Sequence, residues 1–171
     1  VVREKYRNLE LKLTELNRIA EENFQITTKY QEWTRALLMA RNDVDLPHIL
    51  STGLQEIFDL PHATLRLWSV APEYQHTWFA ENVDEDIRLF ARGLNQPYCG
   101  KNLEFDAARW IITNEPVESI ALLPLRLHEK GQTFGLLVLG SPDASRYTKD
   151  MSTDFLLKIA DTASARSEEH T

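Results

Sequence analysis

The side chains most able to carry chemistry in this sequence are a single cysteine, Cys99, and five histidines. A cysteine nucleophile needs a neighbouring base or positive charge that lowers the pKa of its thiol. No histidine is close to Cys99 in sequence, and no recognisable cysteine–histidine signature is present. The sequence therefore favours the alternative role for Cys99, a packed or pocket-lining thiol that behaves as a small apolar side chain. It predicts no catalytic residue.

Metal and phosphate sites are equally unsupported by the sequence. No spacing typical of metal ligands occurs among the histidines, which are His48, His62, His76, His128 and His170. Gly135 and Gly140 lack the Gly-Lys-Ser/Thr ending of a phosphate-binding loop, and no Gly-x-Gly-x-x-Gly motif occurs. We therefore expect no metal and no cofactor.

Three consecutive carboxylates, Asp84, Glu85 and Asp86, admit two interpretations. They would either bind a hard cation or begin a helix, where negative charge is stabilised by the positive end of the helix dipole. The helix start is the commoner role for such a group, so we favour it.

Arg66 and Trp68 form the pattern that most suggests a ligand site. A strand is predicted from Ala63 to Val70, and in it Leu65 and Leu67 alternate with Arg66 and Trp68. Alternate residues of a strand point to opposite faces of the sheet, so Arg66 and Trp68 share one face. An arginine on a covered sheet face needs a partner or solvent.

Two interpretations of Arg66 remain open. In the first, the guanidinium pairs with a carboxylate or phosphate group of a ligand, and Trp68 supplies a flat wall for it. In the second, Trp68 is part of the core and Arg66 makes a structural salt bridge to Glu81, Asp84 or Asp86.

Three more residues are predicted to line the other side of such a pocket. Tyr98 and Cys99 lie in a turn-rich connection from Gly93 to Gly100, and Trp110 lies on a helix predicted over residues 104–112. The predicted ligand-binding residues are therefore Arg66, Trp68, Tyr98, Cys99 and Trp110.

The elements that would position these residues follow from hydrophobic periodicity. A helix carries the apolar stripe from Leu46 to Phe58, is capped by Asp43 or Asp45 and accepts Pro47 in its first turn. After the strand at 63–70, we predict a short strand at Thr77–Ala80 and then a helix that begins within residues 82–86 and carries apolar residues as far as Leu94. The helix at 104–112 follows, and after it a hairpin of strands Ser119–Leu127 and Thr133–Ser141. A closing helix begins near Thr148, with one stripe formed by Met151, Phe155, Ile159 and Ala163. This order predicts an α+β fold in which the first and last helices share one face of an antiparallel sheet.

The first predicted helix has a heptad pattern typical of a coiled coil. Its seam residues alternate four and three positions apart: Val2, Tyr6, Leu9, Leu13, Leu16, Ala20, Asn23, Thr27, Tyr30, Thr34 and Leu37. A single Asn on an a-type line is a known way to fix the register of a two-stranded, parallel coiled coil at some cost in stability, and we assign this role to Asn23. Alternatively, the chain after Asn23 leaves the coiled coil and packs on the domain through Trp33, Leu37 and Leu38; we place this mixed interpretation first. The expected homodimer interface comprises Leu9, Leu13, Leu16, Asn23, Tyr30, Leu37, Phe155 and Ile159.

Composition narrows the class of protein. The chain has 171 residues and a net charge of -7, without a cluster of Lys and Arg that would attract nucleic acid. Its apolar runs are far shorter than the roughly 20 residues that span a bilayer. A single cysteine excludes an internal disulfide, so we expect a protein of the reducing cytoplasm, with no membrane segment and no direct nucleic-acid partner. We predict two parts, a long helix over residues 1–40 and one globular domain over 41–171.

Several separated motifs resemble those of one bacterial family. They are RNLELKL at 7–13, PYCG at 97–100, SIALLPL at 119–125 and FGLLVLGSPDASRYTKDMSTDFL at 134–156. In this order they resemble the DUF484 family, a group of GAF-like proteins without an assigned function. The resemblance implies a twisted antiparallel sheet, a dimer formed through the N- and C-terminal helices, and a small-molecule pocket on the opposite sheet face. It carries over no catalytic residue.

The expectation is therefore a non-enzymatic, GAF-like homodimer with a small-molecule-sensing or regulatory role. The alternative is a protein–protein interaction or scaffold module whose pocket is vestigial. An enzyme using Cys99 is the least supported of the three hypotheses.

Overall fold

The computed structural model of the chain describes residues 1–39, 45–68, 74, 76–81, 83–126, 132–148 and 154–169. The elements in chain order are α1 (Val2–Leu38), α2 (Asp45–Ile57), β1 (His62–Leu67), α3 (Glu85–Gly93), β2 (Tyr98–Lys101), a 3-10 helix (Asp106–Trp110), β3 (Ser119–Arg126), β4 (Thr133–Ser141) and α4 (Asp154–Glu169). None of the described helices has both the length and the apolar composition needed to cross a bilayer.

One antiparallel sheet holds the described strands in the order β1-β4-β3-β2. Strands β3 and β4 lie at its centre and are buried along nearly their whole length. A strand whose two faces are both buried has a continuous apolar run instead of an alternating pattern. Both strands of this hairpin are therefore predicted from sequence at nearly their observed bounds. The residues that connect them, 127–131, lie outside the described part of the chain.

Helices α1, α2 and α4 cover one face of the sheet. Leu65 and Leu67 of β1 and Leu123 of β3 point into this helix-side core, where they meet Trp33 of α1 and Ile159 of α4. Helix α2 begins at Asp45 and carries Pro47 in its first turn, as predicted; Asp43 lies outside the described residues. Asp59, just after α2, has a φ of 55°, so the chain turns sharply into β1.

The opposite sheet face carries a second core. Trp68, Leu122, Leu136 and Val138 point into it, and it is covered by Ile87 and Ala91 of α3 and by Trp110 of the 3-10 helix. Helix α3 begins with Asp84 as its N-cap and with Glu85 and Asp86 in its first turn, although Asp84 makes no side-chain capping bond. The carboxylates thus lie where the helix dipole stabilises them, which agrees with the favoured interpretation.

Helix α1 has two distinct parts. Through residue 28 its side chains are exposed, whereas Trp33 and Leu37 are fully buried in the helix-side core. The predicted packing on the domain is therefore confirmed for Trp33 and Leu37 but wrong for Leu38, which is 64% exposed. The coiled coil in the first part of the helix stays a prediction. The last two turns of α1 therefore pack in the globular core, whereas the preceding part of the helix is exposed.

Part of the predicted dimer interface lies inside the domain. Leu37 and Ile159 are wholly buried against their own chain, so neither side chain is available to a second copy. Tyr30 is half-buried and its hydroxyl is hydrogen-bonded to that of Thr162 in α4. The side chain of Phe155 and residue Met151 lie outside what the structure describes. An apolar stripe predicts that one side of a helix is buried, but not what buries it. Here the rest of the same chain buries it.

Three predicted elements differ from the structure. Residues 77–80 form successive turns instead of a strand, because Thr77 N–H donates to the carbonyl of Tyr74 and Ala80 N–H to that of Thr77. The predicted helix at 104–112 is reduced to the five-residue 3-10 helix. The segment read as a turn-rich connection contains the edge strand β2, whose pairing with β3 is a long-range contact that local sequence does not encode.

Candidate functional site

Arg66, Trp78 and Trp110 form a cation–π cluster on the sheet face that α3 covers. The guanidinium carbon of Arg66 is 5.3 Å from the ring centroid of Trp110 and 5.6 Å from that of Trp78. Both separations are within the range in which a cation is attracted to the face of an indole ring. Arg66 is only 8% exposed, so these contacts are made largely away from water.

Hydrogen bonds hold the Arg66 side chain from one side. Its Nε donates to the carbonyl of Glu81 at 3.2 Å. Its Nη1 donates to the carbonyl of Leu65 at 2.8 Å and to the hydroxyl of Thr64 at 3.1 Å. These acceptors are neutral, and no described residue accepts a hydrogen bond from Nη2. The guanidinium is therefore fixed in position without having its charge neutralised.

The charge balance around Arg66 is unusual for a buried cation. No carboxylate oxygen of the described residues lies within 4.0 Å of the guanidinium, so the predicted structural salt bridge to Glu81, Asp84 or Asp86 is absent there. Burial lowers the pKa of Arg66 from its ordinary value, and the more distant charge of Glu81 opposes that shift. An anion at Nη2 would therefore stabilise the buried charge.

Trp68 is part of the second core and is not an open wall. Its indole Nε1 donates to the carbonyl of Thr133 at 2.9 Å, and its backbone N–H donates to the carbonyl of Phe134 at 2.8 Å. The backbone bond continues the pairing of β1 with β4 by one residue. Trp68 thus supports the strand that carries Arg66, and the indole beside the guanidinium comes from Trp110 instead.

Tyr98 and Cys99 lie on opposite faces of the edge strand β2. Tyr98 packs on the second core, its ring 5.0 Å from that of Phe105, and its hydroxyl donates to the carbonyl of Lys101. Cys99 belongs to the helix-side core and is buried, and burial raises the pKa of its thiol. The prediction that both line one pocket with Arg66 is therefore wrong for Cys99, because adjacent strand residues point to opposite faces.

The raised pKa of Cys99 also bears on the enzyme hypothesis. A thiol becomes a nucleophile as its thiolate, so a raised pKa reduces the reactive fraction near pH 7. In the described part of the chain, no three His, Cys, Asp or Glu side chains are placed to hold a metal ion.

A cavity of about 310 Å³ lies between α3 and the segment that leads into the 3-10 helix, and Arg66, Trp78 and Trp110 are not among its lining residues. Its lining combines the apolar side chains of Ile87, Phe90 and Phe105 with the carboxylates of Asp86, Glu104 and Asp106. The adjoining 3-10 helix carries Trp110, so an occupant of this cavity would contact the segment that places one indole against Arg66. The same region has a backbone irregularity, since Glu104 has a φ of 59°.

The sequence predicts Arg66 and Trp110 as site residues but not Trp78, a member of the cluster, or Thr64, which accepts a hydrogen bond from Arg66. The sequence places Trp78 in a strand, whereas its contact depends on the turns of residues 77–80, which bring its ring over the guanidinium. Thr64 shares the face of Arg66 in the predicted alternation, which was the available signal for its hydrogen bond.

The chain has a GAF-like fold. The GAF domain from Acinetobacter phosphoenolpyruvate-protein phosphotransferase superimposes with a TM-score of 0.56 at 10% sequence identity, covering 84% of this chain and 92% of that chain. The GAF domain of a predicted sensor histidine kinase from Pseudomonas syringae pv. tomato gives the same TM-score at 15% identity, covering 90% of this chain and 92% of that chain. At these identities the likeness concerns the fold alone.

Within this class, the chain belongs to the family described as protein of unknown function, DUF484, whose model matches residues 1–168. The resemblance stated from the separated sequence motifs is thereby confirmed. No curated protein matches the chain in sequence.

Proposed function

We propose that this protein is a non-enzymatic, cytoplasmic regulatory homodimer whose GAF-like domain binds a small anionic ligand at Arg66. The observation that carries the proposal is the buried guanidinium within cation–π distance of Trp78 and Trp110, without a carboxylate partner among the described residues. A carboxylate or phosphate ester at Nη2 would neutralise the charge, and a planar ligand body would contact the exposed edge of Trp78, which is 38% exposed.

The route from this site to the rest of the molecule runs through the sheet. Arg66 lies in β1 next to Leu65 and Leu67, and these leucines pack in the helix-side core with Trp33 of α1. A ligand that shifts β1 would therefore alter the packing of α1 where it enters the domain. Such a change transmits a signal only if the ligand binds one arrangement of α1 more tightly than the other.

The test is a thermal-shift screen of the full chain against carboxylates and phosphate esters, with inorganic phosphate as the simplest probe. Compounds that raise the melting temperature are then titrated while tryptophan fluorescence is recorded, because Trp78 and Trp110 flank the site. Arg66→Gln should abolish both responses. Arg92→Gln, which removes an exposed arginine from α3, is the matched control and should bind normally.

A second candidate function is a protein–protein interaction module with a vestigial pocket. It is favoured by the filled sheet face, where Trp68, Leu122, Leu136 and Val138 are buried under α3 and the 3-10 helix. The two functions predict different results: a ligand that stabilises wild type but not Arg66→Gln supports the first. A stoichiometric partner that is lost on replacing Leu9 and Leu16, with no ligand response, supports the second.

A further inference from the structure

The cavity between α3 and the 3-10 helix combines aromatic rings with unpaired carboxylates. It has a volume of about 310 Å³, and we call it the acidic groove. Its lining residues come from α3 and from residues 103–107, and none comes from the sheet. The acidic groove is therefore distinct from the pocket expected on the sheet face, and it shares no lining residue with the cluster around Arg66.

Phenylalanine rings form much of the apolar surface of the acidic groove. The ring centroids of Phe90 and Phe105 are 5.5 Å apart, and Phe105 also packs edge-on against Tyr98. Phe90 is 37% exposed and Leu103 is 63% exposed, so apolar surface remains open to solvent at the groove. The face of an aromatic ring attracts an ammonium group that lies over it.

The loop that carries Phe105 is held in place by one asparagine. Nδ2 of Asn102 donates to the carbonyl of Val117 at 2.9 Å, and its Oδ1 accepts a hydrogen bond from the backbone N–H of Phe105 at 3.3 Å. Between these two residues Glu104 has a φ of 59°, a left-handed conformation that favours glycine. A glutamate at this position supplies a carboxylate to the groove against its own backbone preference.

Three carboxylates and no Lys or Arg side chain line the acidic groove. Asp86 contributes from α3, and Glu104 and Asp106 contribute from the opposite wall. All three are exposed, and none makes a salt bridge with another described residue. Arg109 lines the adjoining cavity and not this one. The negative charge of the groove is therefore not balanced by its own lining.

A small organic cation is the occupant that matches both the charge and the rings. The carboxylates would repel an anion, and a metal ion would make no use of the phenylalanine rings. In the described part of the chain, moreover, no three acidic, His or Cys side chains are placed to hold a metal. The volume lies at the lower end of the range of about 300–1,000 Å³ for small-molecule pockets, which suits a compact ligand better than a peptide helix.

We infer that the acidic groove binds a small organic cation, whose ammonium group contacts the rings of Phe90 and Phe105 and is attracted by the carboxylates of Glu104 and Asp106. This is a second ligand site, for a ligand of the opposite charge to the one proposed at Arg66. The inference therefore does not rest on the proposed function.

Choline tests this inference, because 3,3-dimethyl-1-butanol has the same shape but no charge. Each compound is titrated into the full chain labelled with ¹⁵N, and the backbone amide shifts are followed. Choline should bind saturably and about tenfold more tightly than the alcohol, with the shifts concentrated in residues 86–90 and 103–107. Raising the salt concentration from about 50 to about 500 mM should weaken choline binding, because exposed charges are screened.

Two substitutions separate the charge from the ring. Glu104→Gln and Phe90→Leu should each weaken choline binding by about threefold or more. Glu115→Gln is the matched control, since this exposed carboxylate lines only the adjoining cavity, and it should change the dissociation constant by less than about twofold.

Glu104→Gly shows that a loss of binding is not a loss of folding. Glycine suits the left-handed conformation at this position, so the variant should have a melting temperature at or above that of wild type. It should nevertheless bind choline as weakly as Glu104→Gln does.

Two results would overturn the inference. Equal affinity for choline and 3,3-dimethyl-1-butanol would show that the groove does not recognise positive charge. Equal weakening by Glu104→Gln and Glu115→Gln would show that choline is attracted only by the net charge of -7. The anion response of Arg66→Gln tests the proposed function and the choline response of Glu104→Gln tests this inference, so either can fail alone.

Discussion

Gly53 of α2 lies directly against the indole ring of Trp33 of α1. A Cβ atom at Gly53 would be 2.7 Å from Cδ1 of Trp33, closer than real side chains approach. Trp33 has no room to retreat, because it is fully buried and its Nε1 donates to the carbonyl of Leu50 at 3.3 Å. The absence of a side chain at Gly53 is therefore what allows α1 to enter the domain.

Gly53→Ala should destabilise the protein, although alanine is the better helix former. Helix propensity alone would favour the variant by about 1 kcal/mol. Overpacking against a fixed ring costs about 1–3 kcal/mol, so we expect a net loss of roughly 1 kcal/mol in the free energy of unfolding, measured in urea. Gly93→Ala is the control, since a Cβ there meets nothing within 4 Å. Equal or greater stability of Gly53→Ala would contradict the packing described.

Tyr30 and Thr162 join the first helix to the last through a hydroxyl–hydroxyl hydrogen bond. Tyr30→Phe and Thr162→Val should each cost about 1 kcal/mol of unfolding free energy. The double variant should cost less than the sum, because the second substitution removes a bond already broken. Strictly additive losses in denaturant unfolding would show that the two hydroxyls do not act together.

The local sequence pattern predicts the buried central strands of the sheet, but it does not predict the edge strand β2. The apolar runs of β3 and β4 and the alternation that sets Arg66 opposite Leu65 depend only on which residues are buried, so the sequence predicts them. Strand β2 exists because it pairs with β3, a contact that its four residues do not encode.

The candidate site shows the same division. The sequence indicates Arg66 because a charged residue is unusual in a strand that is expected to be covered on both faces. Its partner Trp78 depends on how turns at 77–80 fold back over the sheet, which no periodicity reports. The sequence places Cys99 wrongly for a related reason. Only once residues 98–101 are known to form a strand does it follow that Cys99 and Tyr98 point to opposite faces of the sheet.

Arg66→Lys should destabilise the domain even though the charge is kept. An ammonium group does not reproduce the contacts that the planar guanidinium makes with both indoles or the bonds from Nε and Nη1. We expect a loss of about 1–3 kcal/mol in the free energy of unfolding. Arg88→Lys, on the exposed side of α3, should be neutral. Wild-type stability of Arg66→Lys would mean that the positive charge alone, and not the shape of the guanidinium, contributes to the cluster.

Tyr147 carries a buried hydroxyl that makes no hydrogen bond among the described residues, and its ring lies in the helix-side core. A buried polar group without a partner costs about 1–3 kcal/mol. Tyr147→Phe should therefore stabilise the protein by roughly 1 kcal/mol in urea unfolding at pH 8. Tyr98→Phe is the matched control and should not stabilise, because the Tyr98 hydroxyl donates to the carbonyl of Lys101 at 2.8 Å.

The same hydroxyl predicts a pH dependence of stability. Burial raises the pKa of Tyr147 from 10.0 to about 12, with the charge of Arg146 opposing the shift. Because the folded pKa lies above the unfolded one, this contribution is complete below pH 10 and is lost as the pH rises towards 12. Stability should fall by about 1.4 kcal/mol per pH unit across that interval. Burial also raises the pKa of Cys99, so its titration contributes to the same fall in stability. The contribution of Tyr147 is therefore the difference in the free energy of unfolding between wild type and Tyr147→Phe. Parallel stability curves for the two proteins from pH 8 to 11.5 would show that Tyr147 titrates as freely in the folded chain as in the unfolded one.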